Sequence, residues 1–275
     1  MYKDNDLKLH TSSPFRYTPD SVFFNSKCKV FPDGSKTWSV CNEAIYKADG
    51  FEYSDDSIKK AIENRPEQYC TDGVSRSDNV SRARRRVFEI AKCNNFELFV
   101  TLTLDSERID RYNVEEVKKA VRKWLNNMTQ RKGIKYLLVP ELHEDGALHF
   151  HALITKGSLK LIDSGHKDKK GHTVYNLPQW KYGFSTAIET YGDFDGACKY
   201  ISKYITKDTD KKIFGQFYLS GGKGLVLEPQ TELYNLDFLE FGHLKQYSCE
   251  VLPDRKFVYP LDEEVRFSLG EIIEL

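Results

Sequence analysis

Apolar residues recur at two different spacings along this chain, and each spacing predicts a different kind of element. Over residues 96–104, Leu and Val at every second position alternate with Phe and Thr, as in a half-buried β-strand. Over residues 113–131 the apolar residues follow a helical period, and charged residues occupy the other side. Asn113 followed by Glu116 fits a capping box at the start of this helix, and Gly133 fits its end.

Two apolar stretches on either side of Asp145-Gly146 predict a β-hairpin over residues 136–154. Side chains on a strand alternate between faces, so the register decides which of them share a surface. A two-residue loop would turn the Glu141 carboxylate away from the histidines, and we expect a three-residue loop instead. In that register the facing pairs are Glu141 with His151 and His143 with His149.

The expected register separates the hairpin into a polar and an apolar surface. The apolar side chains that it turns toward the core are Leu142, Phe150 and Ala152. Two imidazoles and a carboxylate on the polar surface are suitable ligands for a divalent cation with open positions. The simpler interpretation is a half-buried strand whose histidines meet solvent. The spacing His-hydrophobic-His, with Glu141 eight residues upstream of His149 across a Gly turn, favours the metal site.

A helix is predicted over residues 194–207, and it carries a repeated Tyr-x-x-Lys. Four of its residues share one side at positions i, i+3, i+4 and i+7: Tyr200, Lys203, Tyr204 and Lys207. Tyrosine is a poor nucleophile near its usual pKa of about 10, and an adjacent ammonium group favours the phenolate. The simpler interpretation is an amphipathic helix with half-buried tyrosines and lysines that reach solvent.

A further helix over residues 78–92 contains an arginine run, and a strand is predicted over residues 180–188. The run consists of Arg82, Arg84, Arg85 and Arg86. These arginines form either a solvated helix face or a set of phosphate contacts. Between the hairpin and the strand, residues 163–172 predict a flexible polar insertion. Nearer the N-terminus, Asp33-Gly34 predicts a second hairpin.

The net charge is zero, but the charges are unevenly distributed. Residues 76–135 carry 15 Lys and Arg against 8 Asp and Glu, and residues 156–223 carry 12 against 7. Basic segments thus bracket the hairpin, which suits a polyanion-binding surface. The six cysteines lack a C-x-x-C pair, so a structural zinc among Cys28, Cys41 and Cys70 is only weakly supported. With no long apolar run or signal sequence, we expect a soluble intracellular protein that does not contact membranes.

The hairpin sequence Glu141-Leu142-His143-Glu144-Asp145-Gly146, followed by His149-Phe150-His151, resembles the metal-binding motif of HUH endonucleases. These are rolling-circle replication initiators of small single-stranded DNA viruses, phages and plasmids. The resemblance implies that Glu141, His149 and His151 hold Mg²⁺ or Mn²⁺, with His143 as a fourth ligand or a supporting residue. The strand at residues 99–104 resembles the first motif of that family, which implies that Thr101 and Thr103 lie near the origin DNA.

The two tyrosines resemble the third HUH motif in its two-tyrosine, microvirus-type form. This resemblance implies that Tyr200 or Tyr204 attacks a phosphodiester, leaving a 5′-phosphotyrosine and a free 3′-OH that primes synthesis, with Lys203 and Lys207 neutralising charge. The implied fold is α+β, with a ferredoxin-like (RRM-like) antiparallel sheet and flanking helices. The implied division is an N-terminal extension over residues 1–77, the endonuclease domain over 78–229 and an acidic appendage over 230–275.

The implied partners are single-stranded or cruciform origin DNA and the replication helicase and polymerase of a bacterial host, whose cytoplasm is the implied location. Two alternatives remain open. One is a transposase or conjugative relaxase with the same chemistry. The other is a non-catalytic single-stranded nucleic-acid-binding protein. The second is disfavoured because such proteins usually display stacking aromatics on their strands, whereas the polar surface of this hairpin carries His and Glu.

Overall fold

The computed structural model describes residues 23–47, 77–143, 145–190, 194–205, 212–249 and 252–268. The chain divides into two compact units, which we call the central unit (Gln68–Pro229) and the flanking unit (Met1–Glu67 with Gln230–Leu275). None of the helices in the described ranges combines the length and apolar character needed to cross a membrane.

The described strands and helices are as follows. The strands are β1 (Phe23–Phe24), β2 (Ser26–Val30), β3 (Lys36–Cys41), β4 (Tyr46–Lys47), β5 (Leu98–Leu104), β6 (Tyr136–Leu142), β7 (Leu148–Ile154), β8 (Ile162–Lys167), β9 (Thr173–Asn176), β10 (Gly183–Glu189), β11 (Leu219–Gly221), β12 (Gln230–Tyr234), β13 (Tyr247–Cys249) and β14 (Leu252–Val258). The α-helices are α1 (Ser77–Cys93), α2 (Val114–Lys132), α3 (Phe194–Lys203) and α4 (Asp262–Ser268), and a short 3₁₀ helix spans Phe238–Phe241.

The central unit contains a seven-stranded sheet in the order β11-β6-β7-β5-β10-β9-β8. Every neighbouring pair in it is antiparallel. With helices packed against this sheet, the predicted α+β class is confirmed. The hairpin of β6 and β7 lies near the middle of the sheet, and β5 pairs with the free side of β7.

Helices cover both faces of this sheet, because its central strands are apolar on both. One face of β5 is fully buried and packs against the apolar side of α2; its residues are Leu98, Val100, Leu102 and Leu104. On the opposite face, Leu137, Val139 and Leu153 pack with α1 and α3. Each large apolar side chain buried in this way contributes about 1.5–3 kcal/mol of stability.

The predicted ends of helix α2 are confirmed. The Asn113 side chain accepts a hydrogen bond from the Glu116 backbone N–H at 3.2 Å, which satisfies one of the unpaired donors of the first turn. Gly133 ends the helix in the left-handed conformation, with φ of 66°, and its N–H bonds to the Thr129 carbonyl. These caps fix where the chain leaves α2 and enters β6.

The flexible insertion predicted for residues 163–172 is wrong, because β8 and β9 form a hairpin there at the edge of the sheet. Asp168 stabilises its turn by accepting hydrogen bonds from the backbone N–H groups of Lys170 and His172, each at 2.8 Å. Such a carboxylate-capped turn can be built from polar residues alone. The hairpin follows β7 at the position where a β-α-β-β-α-β domain has its second helix.

The flanking unit is built from both ends of the chain. Its five-stranded sheet has the order β12-β2-β3-β14-β13, so strands before residue 68 pair with strands after residue 229. Segments that the sequence assigns separately, to an N-terminal extension and an acidic appendage, therefore share one core around Trp38 and Phe241. Sequence alone misses this because the pairing is long-range. The hairpin predicted at Asp33-Gly34 is confirmed, with Gly34 at φ of 81°.

The weakly supported zinc site involves this flanking unit. Cys28 and Cys41 are free and buried there, whereas Cys70 lies outside the described residues. Burial raises the pKa of the Cys28 thiol to about 11, so this thiol stays protonated and behaves as a core residue.

Candidate functional site

The hairpin forms as predicted, but its register is shifted by two residues. Glu141 lies opposite His149 rather than His151, and Val139 lies opposite His151. The His143 N–H bonds to the Ala147 carbonyl at 2.9 Å, so the three-residue loop is 144–146 instead of 145–147. Gly146 occupies the last loop position with φ of 82°, a conformation that glycine adopts without strain.

The shift has little effect on the polar surface, because an even number of residues leaves each side chain on its face. Glu141, His143, His149 and His151 still share one surface. Leu142, which was predicted to face the core, is 39% exposed, whereas Phe150 and Ala152 are buried as predicted. Leu142 lies at the end of β6 next to the loop, where no core residue covers it.

The four polar side chains contact one another directly. Glu141 Oε2 lies 2.7 Å from His151 Nε2, and His143 Nε2 lies 2.9 Å from His149 Nδ1. The rings of His149 and His151 are stacked with their centroids 5.0 Å apart. The other nitrogen of His151, Nδ1, lies 3.4 Å from the Thr101 hydroxyl. Thr101 therefore helps to orient this imidazole.

Burial shifts the protonation of two of the histidines. The pKa of His149 is lowered to about 4, first by burial and then by the neighbouring imidazoles of His151 and His143. The pKa of His151 is also lowered to about 4, by burial and by His143. Both rings are therefore neutral near pH 7 and keep a nitrogen lone pair, which is the state that binds a metal ion.

The fit to a metal ion depends on the donor atoms. Within the described ranges, no three or more His, Cys, Asp or Glu side chains are arranged as a ready-made metal site. Glu141 and His151 instead bond to each other. His149 Nε2, however, is buried without a hydrogen-bond partner, which is a costly position for a polar atom. Two neutral imidazoles and a carboxylate fit a divalent cation once Glu141 and His151 turn from each other toward a shared ion.

The predicted tyrosines lie directly beside the histidines. The ring of Tyr204 stacks on that of His151, with centroids 3.6 Å apart and planes 13° from parallel. The Tyr204 hydroxyl donates a hydrogen bond to the Tyr200 hydroxyl at 2.7 Å. Tyr200 packs its ring edge near Phe99 and is 48% exposed. The two phenols and the hairpin surface thus form one continuous cluster, which we call the His–Tyr cluster.

The two phenols differ in their surroundings. Burial raises the pKa of Tyr204 well above its usual value, and the hydrogen bond to Tyr200 and the charge of Glu141 add to this shift. Tyr204 therefore holds its proton and acts as a donor. The Tyr200 oxygen accepts that hydrogen bond and directs its own proton elsewhere.

The helix that carries the tyrosines is shorter than predicted. Helix α3 ends at Lys203, and Tyr204 lies in the following turn, where its N–H still bonds to the Ile201 carbonyl at 3.2 Å. Tyr200 and Tyr204 therefore remain on one side, while Cys198 and Ile201 are buried on the other. Lys203 is exposed at the end of α3, and Lys207 lies outside the described residues.

The arginine run on α1 does not form a single basic surface. Arg86 pairs with Glu228 at 2.6 Å, whereas Arg84 and Arg85 are exposed. Arg82 donates to Asn79 at 2.9 Å and lines a groove of about 830 Å³ beside strand β11. Two further cations line this groove, Arg122 from α2 and Lys212. Sequence reasoning missed these two because they lie far from the run along the chain.

The neighbouring strands extend the surface of the His–Tyr cluster. Thr101 and Thr103 lie opposite His151 and His149 on β5, as a site near DNA requires. Beyond them on β10, Phe184 and Thr186 continue the same two rows, and sequence reasoning missed both. Alternation along residues 183–189 indicates that Phe184 and Thr186 share a face, but sequence does not reveal which strand pairs with them.

A comparison with protein families gives a match over part of the chain. Residues 97–209 match a family model whose description is Replication-associated protein, ORF2 type. The matched segment begins just before β5 and contains the whole His–Tyr cluster. Neither the curated proteins nor the solved structures gave a match. The family match supports a role in the initiation of replication, of the kind performed by Rep-type initiators.

Proposed function

We propose that this protein is an HUH-type endonuclease that nicks and rejoins single-stranded DNA to initiate rolling-circle replication. The observation that carries the proposal is the His–Tyr cluster, in which a Glu and two neutral imidazoles lie against a pair of tyrosines. Its family match adds replication as the process in which such a reaction takes place.

The proposed cofactor is Mg²⁺ or Mn²⁺, held by Glu141, His149 and His151. Once bound, such an ion would withdraw charge from the phosphate oxygens and so make phosphorus more susceptible to attack. His149 Nε2 is the strongest support, because its buried lone pair has no other partner. His143 contacts His149 Nδ1 and is proposed to orient that ring or to serve as a fourth ligand.

Tyr200 is the proposed first nucleophile, because it is the more exposed phenol. Its oxygen forms a bond to phosphorus, and the bond between phosphorus and the 3′ oxygen breaks. The phenol proton passes to solvent, and the departing 3′ oxygen takes up a proton to give a free 3′-OH. The hydrogen bond from Tyr204 keeps the Tyr200 oxygen in place during this step.

The second phenol allows the reaction to repeat. Attack by Tyr204 on the phosphodiester of a newly made strand would release a second 3′-OH, which can then displace Tyr200 from its phosphate and join the ends. Lys203 lies one turn beyond Tyr200, and Lys207 is proposed to act similarly for Tyr204. Their ammonium groups would neutralise charge that builds up on the attacked phosphate.

The proposal extends to the organisation of the protein. Residues 78–229 would form the endonuclease domain, with a ferredoxin-like core made of β10, β5, β7 and β6, similar to the microvirus type. Arg82, Arg84, Arg85 and Arg86 would contact the phosphate backbone of single-stranded or cruciform origin DNA, except where Glu228 already pairs with Arg86. Host helicase and polymerase in the bacterial cytoplasm would then extend the 3′-OH.

The deciding experiment is covalent trapping. A pool of random single-stranded oligonucleotides is labelled at the 3′ end, because a 5′-phosphotyrosine retains the fragment on that side of the nick. Incubation with Mn²⁺ should give a labelled protein band on a denaturing gel, and mass spectrometry should place the adduct on Tyr200 or Tyr204. The double variant Tyr200→Phe/Tyr204→Phe should give none, whereas Tyr112→Phe, at an exposed tyrosine outside the cluster, should be unaffected. Absence of any adduct with the unmodified protein would overturn the proposal.

A further inference from the structure

The His–Tyr cluster continues across the sheet onto strand β10. In the cross-strand register, His149 lies opposite Thr103, and Thr103 lies opposite Phe184. In the neighbouring row, His151 lies opposite Thr101, and Thr101 lies opposite Thr186. Residues that face each other across antiparallel strands have their side chains on the same face. Phe184 and Thr186 therefore belong to the same surface as the histidines.

Phe184 is exposed where the pattern of its strand does not require an aromatic residue. Its ring is 67% exposed, whereas the neighbours on the opposite face, Ser185 and Ala187, are buried. Further along the same face, Ile188 lies opposite Phe99, which the tyrosine-bearing helix covers. The core thus accounts for the aromatic Phe99 but not for Phe184.

The surroundings of Phe184 suit a nucleic-acid strand. Thr103 and Thr186 beside it are hydroxyl-bearing and at least partly exposed. Just before β10, the Lys181 carbonyl accepts a hydrogen bond from Arg108, so two exposed cationic residues lie near the start of the strand. An exposed aromatic ring close to cations is the usual arrangement by which proteins bind single strands, with bases on the ring and phosphates near the cations.

We propose that Phe184 is a base-stacking subsite, which holds one nucleobase of single-stranded DNA beside the phosphate that enters the His–Tyr cluster. Neighbouring strands are about 4.8 Å apart, so Phe184 lies about 10 Å from His149 along the row. This distance corresponds to the nucleotides that flank the attacked phosphate. Stacking there would fix the position of the strand without reading its sequence, because every base has an aromatic face. The inference rests on the proposed DNA substrate but does not depend on cleavage.

The test measures binding without cleavage. Fluorescein-labelled dT₁₂ and a 12-mer of abasic nucleotides, which has the same phosphates and no bases, are titrated with protein in EDTA by fluorescence anisotropy. Loss of one stacked base costs about 1–3 kcal/mol, which corresponds to a 5- to 150-fold change in affinity. Phe184→Ala should weaken dT₁₂ binding by that factor and leave the abasic 12-mer unchanged. Phe184→Trp should retain dT₁₂ binding, and Phe184→Leu should lose it.

Two controls make the outcome specific. Tyr247→Ala removes an exposed aromatic from the flanking unit and should leave both affinities unchanged. Thermal melts should be equal for all Phe184 variants, because the side chain is exposed. The subsite is overturned if Phe184→Ala binds dT₁₂ like the unmodified protein, if both oligonucleotides weaken equally, or if the unmodified protein does not bind dT₁₂. If base-dependent binding through Phe184 persists while covalent trapping fails, the endonuclease proposal is overturned and the subsite is supported.

Discussion

The ring of Tyr204 lies almost parallel to the imidazole of His151, with their centroids 3.6 Å apart. This contact joins the helix that carries the phenols to the hairpin that carries the acidic and histidine side chains. It also gives the two tyrosines unequal positions, because Tyr204 is held against the histidine and Tyr200 faces solvent. The predictions below follow from that inequality and from the groups around it.

The two tyrosines should have different effects on the first cleavage. Tyr200→Phe removes the proposed nucleophile and should lower the single-turnover rate by about 10³-fold or more. Tyr204→Phe removes only a hydrogen bond to the reacting oxygen and should lower the rate by about 10- to 100-fold. The measurement is rapid-quench cleavage of a trapped oligonucleotide with Mn²⁺. The opposite ranking of the two variants would show that Tyr204 attacks first.

Replacing the acidic residue should weaken metal binding while preserving the fold. Glu141→Gln keeps the size of the side chain and a hydrogen-bonding group near His151, but it removes the charge that a divalent ion requires. We expect Mn²⁺ affinity, measured by isothermal titration calorimetry, to fall by about 10- to 100-fold or more.

The same titration supplies its control. His166→Ala removes an exposed histidine from β8 and should leave Mn²⁺ affinity unchanged. If Glu141→Gln and the unmodified protein bind Mn²⁺ equally, the ion is held elsewhere.

Acid should destabilise the metal-free protein through its buried imidazoles. The pKa values of His149 and His151 are lowered to about 4 in the folded chain, whereas an unfolded histidine has a pKa of about 6.5. Between these values the unfolded chain binds more protons, so stability is fully present above about pH 6.5 and is lost as the pH falls toward 4. Urea unfolding in EDTA at pH 7.5 and pH 5 measures the loss.

A variant separates these two histidines from other titrating groups. His149→Gln/His151→Gln removes both imidazoles and should show a smaller loss of stability between the same two pH values. An equal loss in the variant and the unmodified protein would assign the acid sensitivity to other residues.

The hairpin loop should tolerate only residues that adopt positive φ. Gly146 has φ of 82° with no neighbouring atom within 4 Å of an added Cβ, so a substitution there meets backbone strain and no clash. Gly146→Ala should lower the free energy of unfolding by about 1–2 kcal/mol. Gly146→Asn should cost less, because asparagine enters this conformation more readily. Equal urea midpoints for the two variants would contradict this account of the loop.

Much of the site could be predicted because it depends on local chemistry. Alternation along residues 98–104 gives the buried face of β5, and Asn113 with Gly133 marks the limits of α2. Which side chains share a face follows from counting by twos along a strand, so Glu141 joins the histidines even though the predicted register is wrong by two residues. Helical spacing likewise places Tyr200 and Tyr204 on one side.

The sequence by itself determined these local features, because caps, turns and periodicity act between residues close in the chain. Only the tertiary structure decided that β12 pairs with β2, that Tyr204 is the buried phenol, and that Phe184 extends the row of His149. Each of these depends on pairing between distant segments, which is selected by the summed burial of many side chains. No single stretch of sequence records that sum.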